Sequence, residues 1–431
     1  MATRNMADVA ALARVTLWGH DVGAVSELPN GRVVFNYTPE FRAGGLEISP
    51  VHLPLTRRGS FEFPSLTRVE AFDGLPGVLA DALPDRFGNE IIRQYFASKG
   101  EPDKALSPVQ RLLYIGKRAM GALEFEPAVS DRRTALETQV LEVKSLVDQA
   151  RRVIAGKGGE AVREIMQVGS SAGGARAKAV ILWNRKKNQV RSAHAKPHAG
   201  DEYWIIKFDG VGELGKPDFQ HRSYNRIEYV YALLAKKAGI RTQQTYLLEE
   251  GDLAHFMIKR FDRDGVKKLH AHTLGGMEHA DYNAPQTYSY EQWMRLILRL
   301  NLGYPALEQA YLRTAFNLMA RNQDDHVKNH SFLMHPDGRW ELAPAYDLTY
   351  ANGAGYTKAH QMTIAGRSDG FARKDLLEFG AKFELKGNGT PYLEAVGDAL
   401  AAWPGLAKEW GVPTVRAREI NAQFRLELAR A

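Results

Sequence analysis

The chain has 431 residues, room for two or three domains at roughly 100–200 residues each, and its 44% hydrophobic and 25% charged content suits a buried core. A net charge of +7 is too mild to name a partner, and no block of five or more like charges forms a basic tail for DNA. With no cysteine there is no disulfide, thiolate zinc site or cysteine nucleophile; no apolar run reaches roughly 18 residues, and Met1 to Asn5 opens no secretory signal, so a cytoplasmic enzyme without membrane contact is expected.

Residues 1–126 read as β-rich with a few helices. Leu28-Pro29-Asn30-Gly31 lies between Val25 and the run Arg32 to Tyr37, a hairpin signal because Asn-Gly tolerates positive φ at both turn positions. Gly77 to Tyr95 has helical spacing interrupted by Pro84 and Gly88, and Gly121 to Phe125 reads as a strand. Residues 127–163 are polar, with Leu136, Val140, Leu141, Val143, Leu146 and Val147 as an apolar stripe, which predicts a connecting helix and linker.

Residues 164–263 predict a β-rich lobe. The glycine-rich loop Gly169 to Ala175 precedes the strands Lys178–Trp183 and Tyr203–Phe208. A helix over about 226–238 stops at Gly239, and strands follow near 245–248 and 255–258. From 264 to 431 the chain turns helical, with apolar faces over about 290–320. A small β-rich lobe with one helix followed by a helical lobe is the plan of a kinase.

Chemistry concentrates in Asn322 to Phe332. Phosphoryl transfer needs a carboxylate beside the attacking hydroxyl and an amide oxygen on a metal, and the kinase catalytic loop supplies them as an Asp and an Asn five positions later. Asp324 and Asn329 have that spacing, whereas Asp325 does not. A hairpin turning at Pro336-Asp337-Gly338 leads to Asp347, where a kinase places its second magnesium carboxylate. His326 and His330 are four apart, but no glutamate between them completes a zinc-peptidase pattern, and no Gly-x-Ser-x-Gly elbow occurs in the loop.

Upstream, Gly173 and Gly174 let backbone amides approach a phosphate, although the loop lacks the Gly-Lys-Ser/Thr of a P-loop. Lys207 interrupts an apolar strand and needs an anionic partner if buried. Glu228 on the next helix is its natural pair, while Asn225 and Glu228 also match a capping pattern.

At these residues the sequence resembles the HipA family of toxin kinases over most of its length. The resemblance rests on Leu53-Pro54-Leu55, Leu83-Pro84-Asp85, Ile115-Gly116, Gly121-Ala122, the loop with Ala175-Arg176-Ala177-Lys178 and the run Lys259 to Arg263. Most specifically it rests on Asp324-Asp325-His326-Val327-Lys328-Asn329, followed by Tyr346-Asp347. It implies an α+β, kinase-like bilobal fold of HipA type, with a β-rich N-terminal subdomain and an all-α C-terminal lobe.

It further implies that Gly173, Gly174, Ala175, Arg176, Ala177 and Lys178 contact ATP phosphates together with Lys207. Lys259, Arg260 and Phe261 form an adenine hinge; His326 and Lys328 lie near the phosphates and Tyr346 beside the nucleotide. Ser171, or the adjacent Ser170, takes the place of the family's autophosphorylated loop serine. The implied cofactors are ATP and Mg2+. The implied partners are a HipB-type helix-turn-helix antitoxin, through which DNA contact mainly runs, and a protein substrate of the aminoacyl-tRNA synthetase class. Here the loop reads Gly-Gly-Ala-Arg-Ala-Lys and the hinge begins with Lys259, both departures from the best-known member. The rival readings are an aminoglycoside-type phosphotransferase and a pseudokinase co-repressor.

Overall fold

The computed structural model describes residues 11–98, 100, 105–127, 140–157, 176–212 and 223–430. Contacts divide the chain into two units, one of residues 1–221, 259–281 and 333–339, the other of 222–258, 282–332 and 340–431.

The first unit opens with strands β1 (Ala11–Leu17), β2 (His20–Glu27) and β3 (Val33–Tyr37), joined by β4 (Leu123–Glu126) in the order β3-β2-β1-β4, all antiparallel. Alternation along β1 buries Ala13, Val15 and Leu17, so one sheet face makes the core. The expected hairpin joins β2 to β3, but only Gly31 takes a positive φ, at 76°; the loop closes through Leu28 N–H to the Arg32 carbonyl rather than as a two-residue Asn-Gly turn. Helices Gly77–Ala80 and Arg86–Ser98 follow. Gly88 lies inside the second instead of breaking it, and its N–H donates to the Asp85 carboxylate at 2.6 Å, a helix cap.

The unit's second sheet runs β5 (Val140–Leu141), β7 (Gln189–Ser192), β6 (Lys178–Asn184) and β8 (Asp201–Lys207). The stripe expected to be one connecting helix therefore divides. Val140 and Leu141 pair with Arg191 and Val190 as a strand, and the helix occupies Val143–Ile154. Val180, Ile181 and Trp183 favour the extended backbone of β6, every position of which is buried.

Residues 262–279 are stitched to this unit's N-terminal part. Asp81 accepts from the His272 ring at 2.7 Å and from the Thr273 N–H and hydroxyl, both at 2.7 Å. Ser49 bonds the other ring nitrogen of His272 at 3.1 Å, and the His270 ring donates to the Ile48 carbonyl at 2.8 Å. The His52 and His279 rings stack at 3.6 Å. A Cβ on Gly77 would lie 2.0 Å from the Gly276 carbonyl oxygen, so glycine is what permits that crossing.

In the second unit, helix Tyr224–Lys237 ends before Gly239 in the left-handed region at φ 85°, the stop its sequence predicts. Ser223, not Asn225, precedes its first residue; Asn225 and Glu228 are buried within the helix and do not cap it. Strands Thr245–Glu250 and Leu253–Lys259 pair antiparallel. The helical stretch expected over 290–320 is two helices, Tyr290–Arg299 and Tyr304–Met319, broken where Asn301 and Gly303 adopt positive φ. Four further α-helices between Arg373 and Gln423 complete the unit among the described residues. Tyr231 sits edge-on to Phe316, Trp403 and Phe424 at the centre of the core.

Candidate active site

The Asn322 to Asn329 loop leaves helix Tyr304–Met319 and enters the strand Ser331–Met334. Its first residues are pinned by backbone bonds: Asn322 N–H to the Asn317 carbonyl and Gln323 N–H to that of Ala351, both 2.9 Å. A short 3-10 turn, Val327–Asn329, then brings Asn329 back to Asp324, and the Asn329 amide N–H donates to the Asp324 carbonyl at 2.7 Å. That bond uses the amide nitrogen of Asn329 and leaves its side-chain oxygen as the donor for a hard cation.

The two neighbouring aspartates have opposite environments. Asp324 has a side chain 43% exposed and lies 3.8 Å from the His326 ring. Asp325 is 0% exposed and sits among hydrogen-bond donors. Burial works to raise the Asp325 carboxyl, but the His360 ring, the Tyr290 hydroxyl and the Gln361 N–H outweigh it and hold the group below its ordinary value. Asp324 is thus the carboxylate a substrate can reach.

Burial also pushes the His326 imidazole down to about 4, against the pull of Asp347, so the ring is neutral at pH 7. Asp347 follows the expected hairpin, Ser331–Met334 with Trp340–Leu342, whose turn has Gly338 at φ 83°. Asp347 itself adopts φ 52°, the left-handed conformation Asp tolerates better than most residues. With Glu228 and Tyr346 it lines a small cavity floored by Phe256 and Ile258.

Tyr346 braces the loop from below: its hydroxyl donates to the Lys328 carbonyl at 2.7 Å and lies 2.6 Å from the Ser331 hydroxyl. The Lys328 ammonium stands 4.9 Å above the Tyr282 ring. His330 is a core residue whose ring lies 4.0 Å from that of Trp293 at a tilt of 32°, and burial pushes it down to about 3.

The remaining candidates lie in the first unit. Lys178 and Lys207 are direct partners across the antiparallel β6–β8 ladder and so share one sheet face. Two like charges placed so repel unless anions intervene. Lys178 is buried and pairs with Asp85 at 3.2 Å. Lys259 pairs with Glu202, while the buried Arg260 binds Asp262 through two bonds at 2.6 and 2.8 Å. The Arg260 guanidinium is therefore committed to the fold, and Arg260 N–H donates to the Tyr203 carbonyl at 2.9 Å. Phe261 is half-buried beside it, and Arg176 and Ala177 lead into β6. Gly173, Gly174, Ala175, Ser170 and Ser171 lie outside the described residues.

Sequence reading missed the partners of Asp325, which are Tyr290, His360 and Gln361, because no spacing joins positions 35 and 36 residues away. The Asp85–Lys178 pair is equally hidden, although Asp85 belongs to the Leu83-Pro84-Asp85 motif.

The HipA N-terminal domain model matches residues 13–126, and the HipA-like C-terminal domain model matches residues 170–427. Among solved structures, the Shewanella oneidensis MR-1 complex of toxin–antitoxin HipA, HipB and operator DNA contains a chain that superposes with a TM-score of 0.66. It is 17% identical, over 97% of this chain and 96% of that one. The Helicobacter pylori proinflammatory kinase CtkA aligns with a TM-score of only 0.33 at 12% identity, over 53% of this chain and 90% of that one. The α+β, HipA-type fold expected from the motifs is the one observed, and the chain belongs to the HipA family.

Proposed function

We propose that this chain is a magnesium- and ATP-dependent serine/threonine protein kinase, the toxin of a HipA/HipB-type toxin–antitoxin pair. The observation that carries the reading is the loop in which Asn329 is tied back to the reachable Asp324, with Asp347 at the end of the hairpin that leaves the loop. Asn329 and Asp347 offer oxygen donors, the set a magnesium ion takes when substrate phosphates complete its shell. Bound there, the ion neutralises charge on the transferring phosphoryl group.

Asp324 orients the acceptor hydroxyl and takes its proton. The neutral His326 adds no competing positive charge beside that carboxylate, while Lys328 faces the phosphates. Lys207 and the 173–178 loop hold ATP for in-line transfer, and residues 259–261 seat the adenine through backbone groups. Family membership supports two further elements: autophosphorylation at Ser171 or Ser170, and an aminoacyl-tRNA synthetase as substrate. The HipA–HipB–operator complex supports a HipB-type antitoxin partner; in this reading that partner has a helix-turn-helix and carries most of the DNA contact.

Incubation with magnesium and labelled ATP, followed by phosphosite mapping, tests the reading. Label on Ser171 or Ser170 is expected, and none in Asp324→Ala. Because Asp324 is partly exposed, that variant keeps its Tm within about 2 °C of the parent. Undiminished labelling in the variant overturns the base assignment. Unlabelled but ATP-binding parent protein overturns the kinase in favour of a binding module.

A further inference from the structure

Asp325 has no role in the chemistry above, yet it is the most enclosed charge in the second unit's loop. Its Oδ2 accepts from the Tyr290 hydroxyl at 2.5 Å and from His360 Nδ1–H at 2.9 Å, and its Oδ1 accepts from Gln361 N–H at 2.7 Å. These partners come from two places: the first turn of helix Tyr290–Arg299, and two consecutive residues of the stretch that follows Asp347.

The contacts extend outward on both sides. The Tyr290 hydroxyl accepts from the Asn317 amide at 3.1 Å, and Asn317 in turn accepts from the Asn322 amide at 2.9 Å. The Gln361 side-chain amide donates to the carbonyls of Gln323 at 3.1 Å, Tyr356 at 2.6 Å and Ala359 at 2.9 Å. One carboxylate therefore joins the helix floor, the loop and the 356–361 stretch. A buried charge held by three donors is kept in one geometry, because any displacement leaves it unpaired in a low-dielectric setting. The peptide it fixes is the one that carries Asp324.

We infer that Asp325 is the positioning residue of this loop: by gripping Tyr290, His360 and the Gln361 amide together, it aims Asp324 at the acceptor hydroxyl. The role rests on the phosphoryl-transfer reading. The aim of a group matters steeply, since a displacement of about 1 Å costs on the order of a hundredfold in rate.

The test uses the full-length protein with Asp325→Asn, His360→Ala and His360→Asn. The asparagine at 360 retains an N–H donor near the place of Nδ1, and alanine does not. In Asp325→Asn and His360→Ala, kcat for autophosphorylation is expected to fall about a hundredfold, with KM for ATP changed less than about threefold because Lys207, residues 259–261 and Asp347 hold the nucleotide and magnesium from outside this loop. His360→Asn recovers to within about tenfold of the parent. Amide exchange, followed by mass spectrometry, is expected to rise at least about tenfold in peptides covering 322–329 and 356–361, and to stay unchanged in 304–319.

Unchanged kcat in both Asp325→Asn and His360→Ala overturns the inference, as does a KM effect without a kcat effect. Equal losses in His360→Ala and His360→Asn also overturn it, since space filling would explain them. Should Asp325→Asn fail to fold, the two His360 variants decide alone. Exchange is read whether or not the parent transfers phosphate. Faster exchange at 322–329 from an inactive parent's variants keeps the clamp and removes the kinase, whereas unaltered exchange removes the clamp.

Discussion

Replacing Asp85 with asparagine leaves the Lys178 ammonium inside the first unit without its carboxylate. The pair is 3.2 Å apart, with side chains only 4% and 2% exposed, so water does not screen the loss. Breaking such a pair from one side costs about 3–5 kcal/mol, chiefly for the stranded charge. Lys207 directly across the ladder adds a second cation on the same face. Asparagine caps helices as well as aspartate does, so the bond to Gly88 N–H survives and the expected loss of about 3 kcal/mol is electrostatic. Lys178→Met removes the cation from beside the buried Asp85 carboxylate and is expected to cost a similar amount. The double variant removes both charges and returns most of the stability, a coupling of about 2–3 kcal/mol. Urea unfolding followed by tryptophan fluorescence reads this directly, since the buried Trp183 and Trp204 lie on β6 and β8 of the same sheet. A coupling below about 0.5 kcal/mol refutes the reasoning, because two independent sites add within that margin.

Acid should weaken the fold well before its carboxylates titrate. Burial holds His270 and His326 at about 4, and His279 and His330 at about 3, whereas unfolded histidines take protons near about 6.5. Their contribution is complete above that value and is lost as pH falls from it toward the folded values. Each adds a slope of about 1.4 kcal/mol per pH unit through that window. Urea midpoints that do not change between pH 7.5 and 5 would contradict this. Gly77→Ala forces a Cβ to within 2.0 Å of the Gly276 carbonyl and is expected to cost about 3 kcal/mol. Gly44→Ala, at the end of helix Pro39–Gly44 with open space around its Cβ, serves as the near-neutral control; equal melting temperatures for the two variants would sink the argument.

What was legible in the chain was local. The strands at 178 and 203, the helix stopping at Gly239 and the hairpin turning at Gly338 each announce themselves within a dozen residues. Asp324 and Asn329 are five apart, so their relation survives as spacing. Errors came where short range misleads. Val140 and Leu141 share a stripe with a real helix but are claimed by a strand partner some fifty residues on. Asn225-x-x-Glu228 imitates a cap, yet both residues are interior because the helix begins one residue earlier. Arg260 reads as a ligand residue until Asp262 is seen to hold it. Relations such as Asp85 with Lys178, or Asp325 with His360, are products of tertiary packing and carry no periodic trace.

The stitching of residues 262–279 to the N-terminal part also imposes an order in time. Asp81 and Ile48 are translated 191 and 222 residues before His272 and His270, the groups that bond them. At roughly 5–20 residues per second, they emerge from the ribosome about 10–45 seconds ahead of those partners. Through that interval the Asp81 carboxylate and Gly77, at the two ends of helix Gly77–Ala80, still await the rest of the chain. A newly made molecule therefore ties down the N-terminal part of its first unit late, shortly before the 322–329 loop leaves the ribosome, and adds that unit's last segment, 333–339, just after it.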